Sequence, residues 1–193
     1  MNQRTLIDFL GTISSLKSNT RHVWTADGRQ ESVAEHSWRL AVMALLIAGE
    51  FPEVDIQKVV TMCLIHDFGE ALTGDIPSFL KTKQDEEKED LAIDELLRRL
   101  PEDTADEFAS LFTEMAELST AESKLFKALD KMEAILSHNE APLSTWLELE
   151  YTENQTYATA EAAHFEYLKQ LREELKKDTL NKIAGGKDHA EEA

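Results

Sequence analysis

The stretch ESVAEHSWRLAVMALLIAGE, residues 31–50, decides the fold. Ser32 and Glu35 form a capping box, with the serine placed to accept from the third helical N–H and the glutamate reaching back. Trp38, Leu40, Ala41, Met43, Ala44, Leu45 and Ile47 then make a helix apolar on most sides, which predicts a central, buried helix with Trp38 in the core. Gly49 to Pro52 ends it. On its N-terminal side, Leu6, Phe9, Leu10, Ile13 and Leu16 recur at helical spacing over residues 3–17, and a polar loop from Ser18 to Gln30 connects the two. On its C-terminal side, Asp55 caps a third helix carrying Val59, Val60, Met62, Cys63, Leu64 and Ile65, which stops near Gly69.

Further out, Ala71 to Phe79 reads as a loop or short turn punctuated by Gly74 and Pro77. Lys81 to Asp90 is a charge run, read as a solvated loop or helix start. A fourth helix runs from Leu91 to Pro101 and a fifth from Thr104 to Glu117. Ser119 and Glu122 repeat the capping-box pattern and open a sixth helix with Leu125, Phe126, Leu129, Met132, Ile135 and Leu136 inside, ending near Asn139. A last helix spans about residues 155–183, and the segment 185–193 is expected to be a flexible acidic tail. The expectation is an all-α bundle of about six to eight helices in a single domain, residues 1–184.

Composition agrees. The 193 residues are 42% apolar, enough for one sizeable core, and seven glycines and four prolines are few for a chain of many short strands. Twenty basic against thirty-eight acidic side chains give a net charge of -18, which argues against polymeric nucleic acid and anionic membranes as partners. The single cysteine excludes an intramolecular disulfide and suits a reducing, cytoplasmic setting. The longest apolar run is too short to span a bilayer.

Metal-ligand residues stand inside these apolar helices at three places: His36, the pair His66-Asp67, and Asp130. A histidine or aspartate left in a core stripe needs a partner, because burying an unpaired charge costs several kcal/mol, roughly. Two neutral imidazoles and two carboxylates neutralise a divalent ion and leave positions open. That suits Mn, Fe, Co, Ni or Zn better than Ca or Mg. A groove formed by helices two and six against helix three would bring the three places together. Glu35 is the capping partner, His138 and His164 read as surface residues, and His22 sits beside Arg21.

The order His36, His66-Asp67, Asp130 is similar to the H…HD…D set of the HD-domain metal-dependent phosphohydrolases. The runs ESVAEHS (31–37), HDFGEALTGDIPS (66–78) and KLFKALDKMEAIL (124–136) resemble its 5′-deoxynucleotidase branch, over about residues 5–140. The resemblance implies one divalent metal per chain on His36, His66, Asp67 and Asp130. It implies Glu70 as the acid that positions water or handles a proton, and Asp75 as a second acid in the pocket. Arg21 resembles the family's phosphate-binding arginine, and Trp24 the tryptophan beside the sugar. Lys81 is a further candidate for the substrate's charge. The implied reaction is hydrolysis of deoxyribonucleoside 5′-monophosphates, with little dependence on the base, since the motif runs hold no dedicated base-edge partners. A homodimer is implied, and the apolar stripes of the first and last helices agree with it.

Other members of this superfamily set the alternatives. Hydrolases of ppGpp resemble HDxxED at the motif, where this chain has Ala71. Phosphodiesterases of cyclic dinucleotides carry a Gly-Tyr-Pro motif absent here, and di-iron oxygenases need further ligands. A non-catalytic regulatory module typically loses a ligand, and here all four positions are filled.

Overall fold

Ser32 opens α2 (Val33–Leu46) as its capping residue, with its side chain accepting from the Glu35 amide and the Glu35 carboxylate accepting from the Ser32 amide. The computed structural model describes the backbone of residues 1–191 and the side chains of residues 1–186. Before α2 come α1 (Gln3–Ile13), a 3₁₀ turn (Ser14–Lys17), and an antiparallel hairpin of β1 (Thr20–Trp24) and β2 (Gln30–Ser32). After it come α3 (Ile56–Ile65), α4 (Glu70–Thr73), α5 (Lys83–Leu97), α6 (Glu102–Glu117), α7 (Ala121–Glu140), α8 (Glu150–Glu153), α9 (Thr159–Ala162) and α10 (Glu166–Glu191). Seven of these helices reach ten residues or more, within the expected range.

The core is the contact of α2, α3 and α7. Leu40 and Ala44 of α2, Val59 and Met62 of α3, and Leu125, Leu129, Met132 and Ile135 of α7 are fully buried there. α10 packs on α7 through Leu168 and Leu175, so its stripe is consumed within the chain.

The structure departs from the expectations at several points. Residues 18–30 are not all loop, because Thr20 to Trp24 pairs with Gln30 to Ser32. Trp38 is 64% exposed. The buried residues of α2 are Val33, His36, Ser37, Leu40, Ala41 and Ala44, one stripe at helical spacing, and Trp38 points away from it with Leu45 and Leu46. α3 ends at Ile65, and Glu70 to Thr73 forms a separate turn of helix where loop was expected. Of the two readings of the charge run, the structure takes the helix start: Thr82 and Asp85 cap α5 reciprocally and start it eight residues before Leu91. Thr120, with Ser123, caps α7 rather than Ser119 with Glu122, and the Glu122 carboxylate instead accepts from the Asp55 amide at 3.0 Å. The last long helix begins at Glu166, after α8 and α9, and its bounds overlap the segment expected as a tail, of which residues 192 and 193 lie outside the described residues. Among the described residues no helix is long and apolar enough to cross a membrane.

Candidate metal centre

Three helix positions bring the four candidate ligands to one point. His36 lies in the first turn of α2, His66 and Asp67 follow the last turn of α3, and Asp130 is midway along α7. His36 Nε2 lies 3.3 Å from Asp130 Oδ1, and His66 Nε2 lies 3.8 Å from the same oxygen and 3.0 Å from Asp67 Oδ2. The backbone leaves α3 at Ile65 and turns, which lets neighbouring residues 66 and 67 face the same groove.

Each imidazole is oriented from behind. His36 Nδ1 bonds to Glu133, and His66 Nδ1 donates to the Cys63 carbonyl at 2.9 Å. With Nδ1 engaged outward on both rings, both Nε2 lone pairs point to the shared centre, the arrangement that fixes tautomer and raises ligand basicity at metal sites. Two nitrogen and two carboxylate donors therefore fit a divalent transition ion. Burial works against the Asp130 charge, yet Lys127 at 2.8 Å and the two histidines hold its carboxyl well below the usual range.

Behind this centre lies a buried ionic network absent from the expectations. Glu133 is fully buried and takes contacts from His36, from Arg21 at 3.3 Å and from Arg39 at 2.6 Å. Burial opposes its charge, but His36 and the two guanidiniums keep it ionised. Arg21 also donates to Glu31 at 2.9 Å, and Ser137 closes the network by donating to Glu133 at 3.0 Å. Glu133 stands three residues after Asp130, and Lys127 three residues before it. Both share its helix face, the signal by which the sequence marks them.

A cavity of about 200 Å³ opens over the centre. His36, Asp67 and Asp130 line it, as do Arg21, Glu70, Asp75 and Lys81. Glu70 is 6% exposed, and its Oε2 has no hydrogen-bond partner. Burial, together with Asp67, Asp75 and Glu89, pushes its carboxyl up to about 9. Burial likewise raises Asp75. Lys81 reaches the cavity but pairs with Glu89. Trp24 stands outside the lining and makes an edge contact with His22, ring centroids 5.1 Å apart, while His22 and Val23 line the cavity. His138 is not a surface residue, since it lines the cavity and bonds to Asn154. His164 is exposed as expected. On the other side of Asp67 and Asp130 a wider groove of about 850 Å³ runs between α5 and α6.

Comparisons with known proteins give one answer. The HD domain family profile matches residues 13–172. The 5′-deoxynucleotidase HDDC2 of Bos taurus is 36% identical over 141 residues, 71% of this chain and 68% of that protein. The human protein of the same name is 34% identical over the same shares. Among solved structures, a "predicted metal-dependent phosphohydrolase" from Magnetospirillum magnetotacticum superposes with a TM-score of 0.80 at 29% identity, covering 93% of both chains. A conserved hypothetical protein from Pyrococcus furiosus superposes at 0.71 with 31% identity, covering 89% of this chain and 99% of that one. Because the matched span carries every converging side chain from His36 to Asp130, this chain belongs to the HD domain family.

Proposed function

We propose that the chain is a metal-dependent phosphomonoesterase that hydrolyses deoxyribonucleoside 5′-monophosphates to the deoxynucleoside and inorganic phosphate. The observation that carries this reading is the convergence of His36, His66, Asp67 and Asp130 beside a cavity that His36, Asp67 and Asp130 line together with Arg21 and Lys127, in a chain whose curated relatives are named 5′-deoxynucleotidases. The four side chains hold one divalent ion, with Mn, Co, Fe, Ni or Zn ahead of Mg because two donors are nitrogen. When bound, such an ion supplies Lewis acidity and a nucleophile from water at neutral pH.

The chain's own residues do the rest. In a protein of net charge -18, a phosphate dianion needs local positive charge. Arg21 uses one guanidinium nitrogen on Glu31 and Glu133, which fixes its plane, and offers the remaining donors to phosphate oxygens. Lys127 and Lys81 add charge from either side. Glu70 orients water or carries the proton to the leaving 5′ oxygen, a part its raised carboxyl suits, and Asp75 lines the approach. His22 and Val23 face the sugar, and Trp24 acts there by backing His22.

The protein works as a cytoplasmic homodimer in this reading. With the α10 stripe buried, the apolar surface that supports pairing is Leu6, Ile7 and Leu10 of α1 and Trp38, Leu45 and Leu46 of α2. Phosphate release from paired deoxy- and ribonucleoside 5′-monophosphates, with Mn or Co added back after chelation, tests the reaction. Deoxynucleotides are expected to be favoured roughly ten- to a hundredfold in kcat/KM. Equal values for dAMP and AMP would leave a general phosphomonoesterase.

A further inference from the structure

The candidate metal donors can be reached from two sides. Asp67 and Asp130 line both the cavity that holds Arg21 and the groove of about 850 Å³ between α5 and α6. His36 lines the cavity alone, and His66 the groove alone. The side chains of His66, Asp67 and Asp130 keep 10%, 18% and 16% of their surface accessible, so a solute in the groove meets three of the four donors.

The two openings differ in charge. Lys81 and Lys127 line both, and each is already paired with a carboxylate, Glu89 and Asp130. The cavity adds the cations Arg21 and Lys131 among its acids, whereas the groove adds Glu86, Glu89, Asp90 and Asp94 and no further lysine or arginine. Glu86, Asp90 and Asp94 are exposed and follow one another at four-residue spacing along α5, an arrangement of like charges that weakens a helix. The ion pairs of α5 leave Glu86 and Asp90 without a cationic partner among the described residues. Across the groove α6 presents Ala109, Thr113 and Ala116, small side chains that keep it open. At the inner end, oxygens of Glu89 and Asp67 lie within 4.8 Å of each other and of the buried Glu70 carboxylate, whose Oε2 has no hydrogen-bond partner.

We propose that the groove between α5 and α6 is the entrance by which a divalent cation reaches the centre, separate from the cavity that admits the nucleotide. An ion with six waters takes up roughly 200 Å³ at about 30 Å³ per water, which the groove accommodates. The acidic ladder of α5 concentrates cations at the outer mouth and repels a nucleotide dianion. Glu89 and Asp67 continue the ladder inward, and His66, Asp67 and Asp130 receive the ion from the groove side. The centre can therefore be filled while a nucleotide occupies the cavity. The inference rests on the metal centre proposed above and says how that centre is loaded.

The test follows cobalt(II) alone, by stopped-flow absorbance, as it binds chelated protein and as excess chelator withdraws it. Glu86→Gln, Asp90→Asn and Asp94→Asn together should slow association about three- to tenfold at low ionic strength and flatten its dependence on salt. Thr113→Trp, which fills the groove from α6, should slow association and dissociation by the same factor and leave Kd unchanged, because a plug raises the barrier without touching the bound state. Should that variant fail to fold, Ala109→Phe plugs the same gap. Ser78→Trp, on the exposed lining of the cavity, should leave both cobalt rates unchanged while raising KM for dAMP. Wild-type association in the triple and plugged variants, or slowing in Ser78→Trp alone, would overturn the groove as the entrance and leave the metal centre and the nucleotidase reading standing. A wild type that takes up no cobalt would overturn the centre and its entrance together.

Discussion

Glu133 holds His36 from behind at Nδ1, and both side chains are shut off from solvent. This contact sets the direction of the Nε2 lone pair toward Asp130, so in the proposed centre metal affinity depends on a residue that touches no metal. Glu133→Gln is expected to weaken binding of a divalent ion by about 10- to 100-fold. Glu133→Ala additionally takes the shared buried carboxylate from Arg21 and Arg39, leaving them Glu31 and Glu140, and should cost about 3–5 kcal/mol of stability. Calorimetric metal titration and urea unfolding check the two effects. Wild-type affinity in Glu133→Gln would mean that His36 is oriented by packing alone.

Much of this centre was legible because the chemistry interrupts the periodicity. His36 and Asp130 fall within otherwise apolar helices, and the HD pair sits at a helix end. Glu133 obeys the same logic, but a glutamate among charged neighbours in KALDKMEAIL looks like a solvated face until the helix is packed. The hairpin of residues 20–24 and 30–32 was illegible for another reason. Its strands are short and polar, with burial decided by packing on α7 rather than by alternation. Trp38 faces outward against expectation because apolar character on most sides of α2 does not say which side is covered.

Gly69 marks the closest approach of the turn after α3 to α5. A Cβ there would lie 2.8 Å from Glu89 Cγ, 3.0 Å from the Glu89 carbonyl and 3.1 Å from Ile93 Cγ1. Gly69→Ala must push α5 outward and should destabilise the fold by about 1–3 kcal/mol. Glu89 carries the partner of Lys81, so KM should rise as well. An unchanged Tm and KM would show that α5 yields freely at this point.

The start of α5 gives a pH signature away from the metal. Thr82, then Lys88, lower the Asp85 carboxyl from 3.8 to about 2. For an acid so shifted, the stabilisation is complete above the unfolded value of 3.8 and lost as pH falls through the folded value of about 2. Asp85→Asn should therefore lower Tm at pH 5 and make no difference near pH 1.5. Thr82→Ala should cost about 0.5–2 kcal/mol by removing the reciprocal cap. Titration of the Asp85 carboxyl at its ordinary value by NMR would contradict the capping box.

The outer face of α2 tests the dimer. Leu46 is 80% exposed and Trp38 64%. The double variant Trp38→Glu, Leu46→Glu should sediment as a monomer at micromolar concentration while the wild type sediments as a dimer. A wild-type monomer, or a variant dimer, would remove this face from the account.

The most direct test is phosphate release from dAMP by chelated protein on addition of Mn or Co, with wild type and Asp67→Ala side by side and metal content measured on both. Wild type should bind one ion per chain and recover turnover, whereas Asp67→Ala should stay folded, bind little metal and release no phosphate above background. Full turnover in chelated wild type, or wild-type metal content and turnover in Asp67→Ala, would contradict the assignment of this centre.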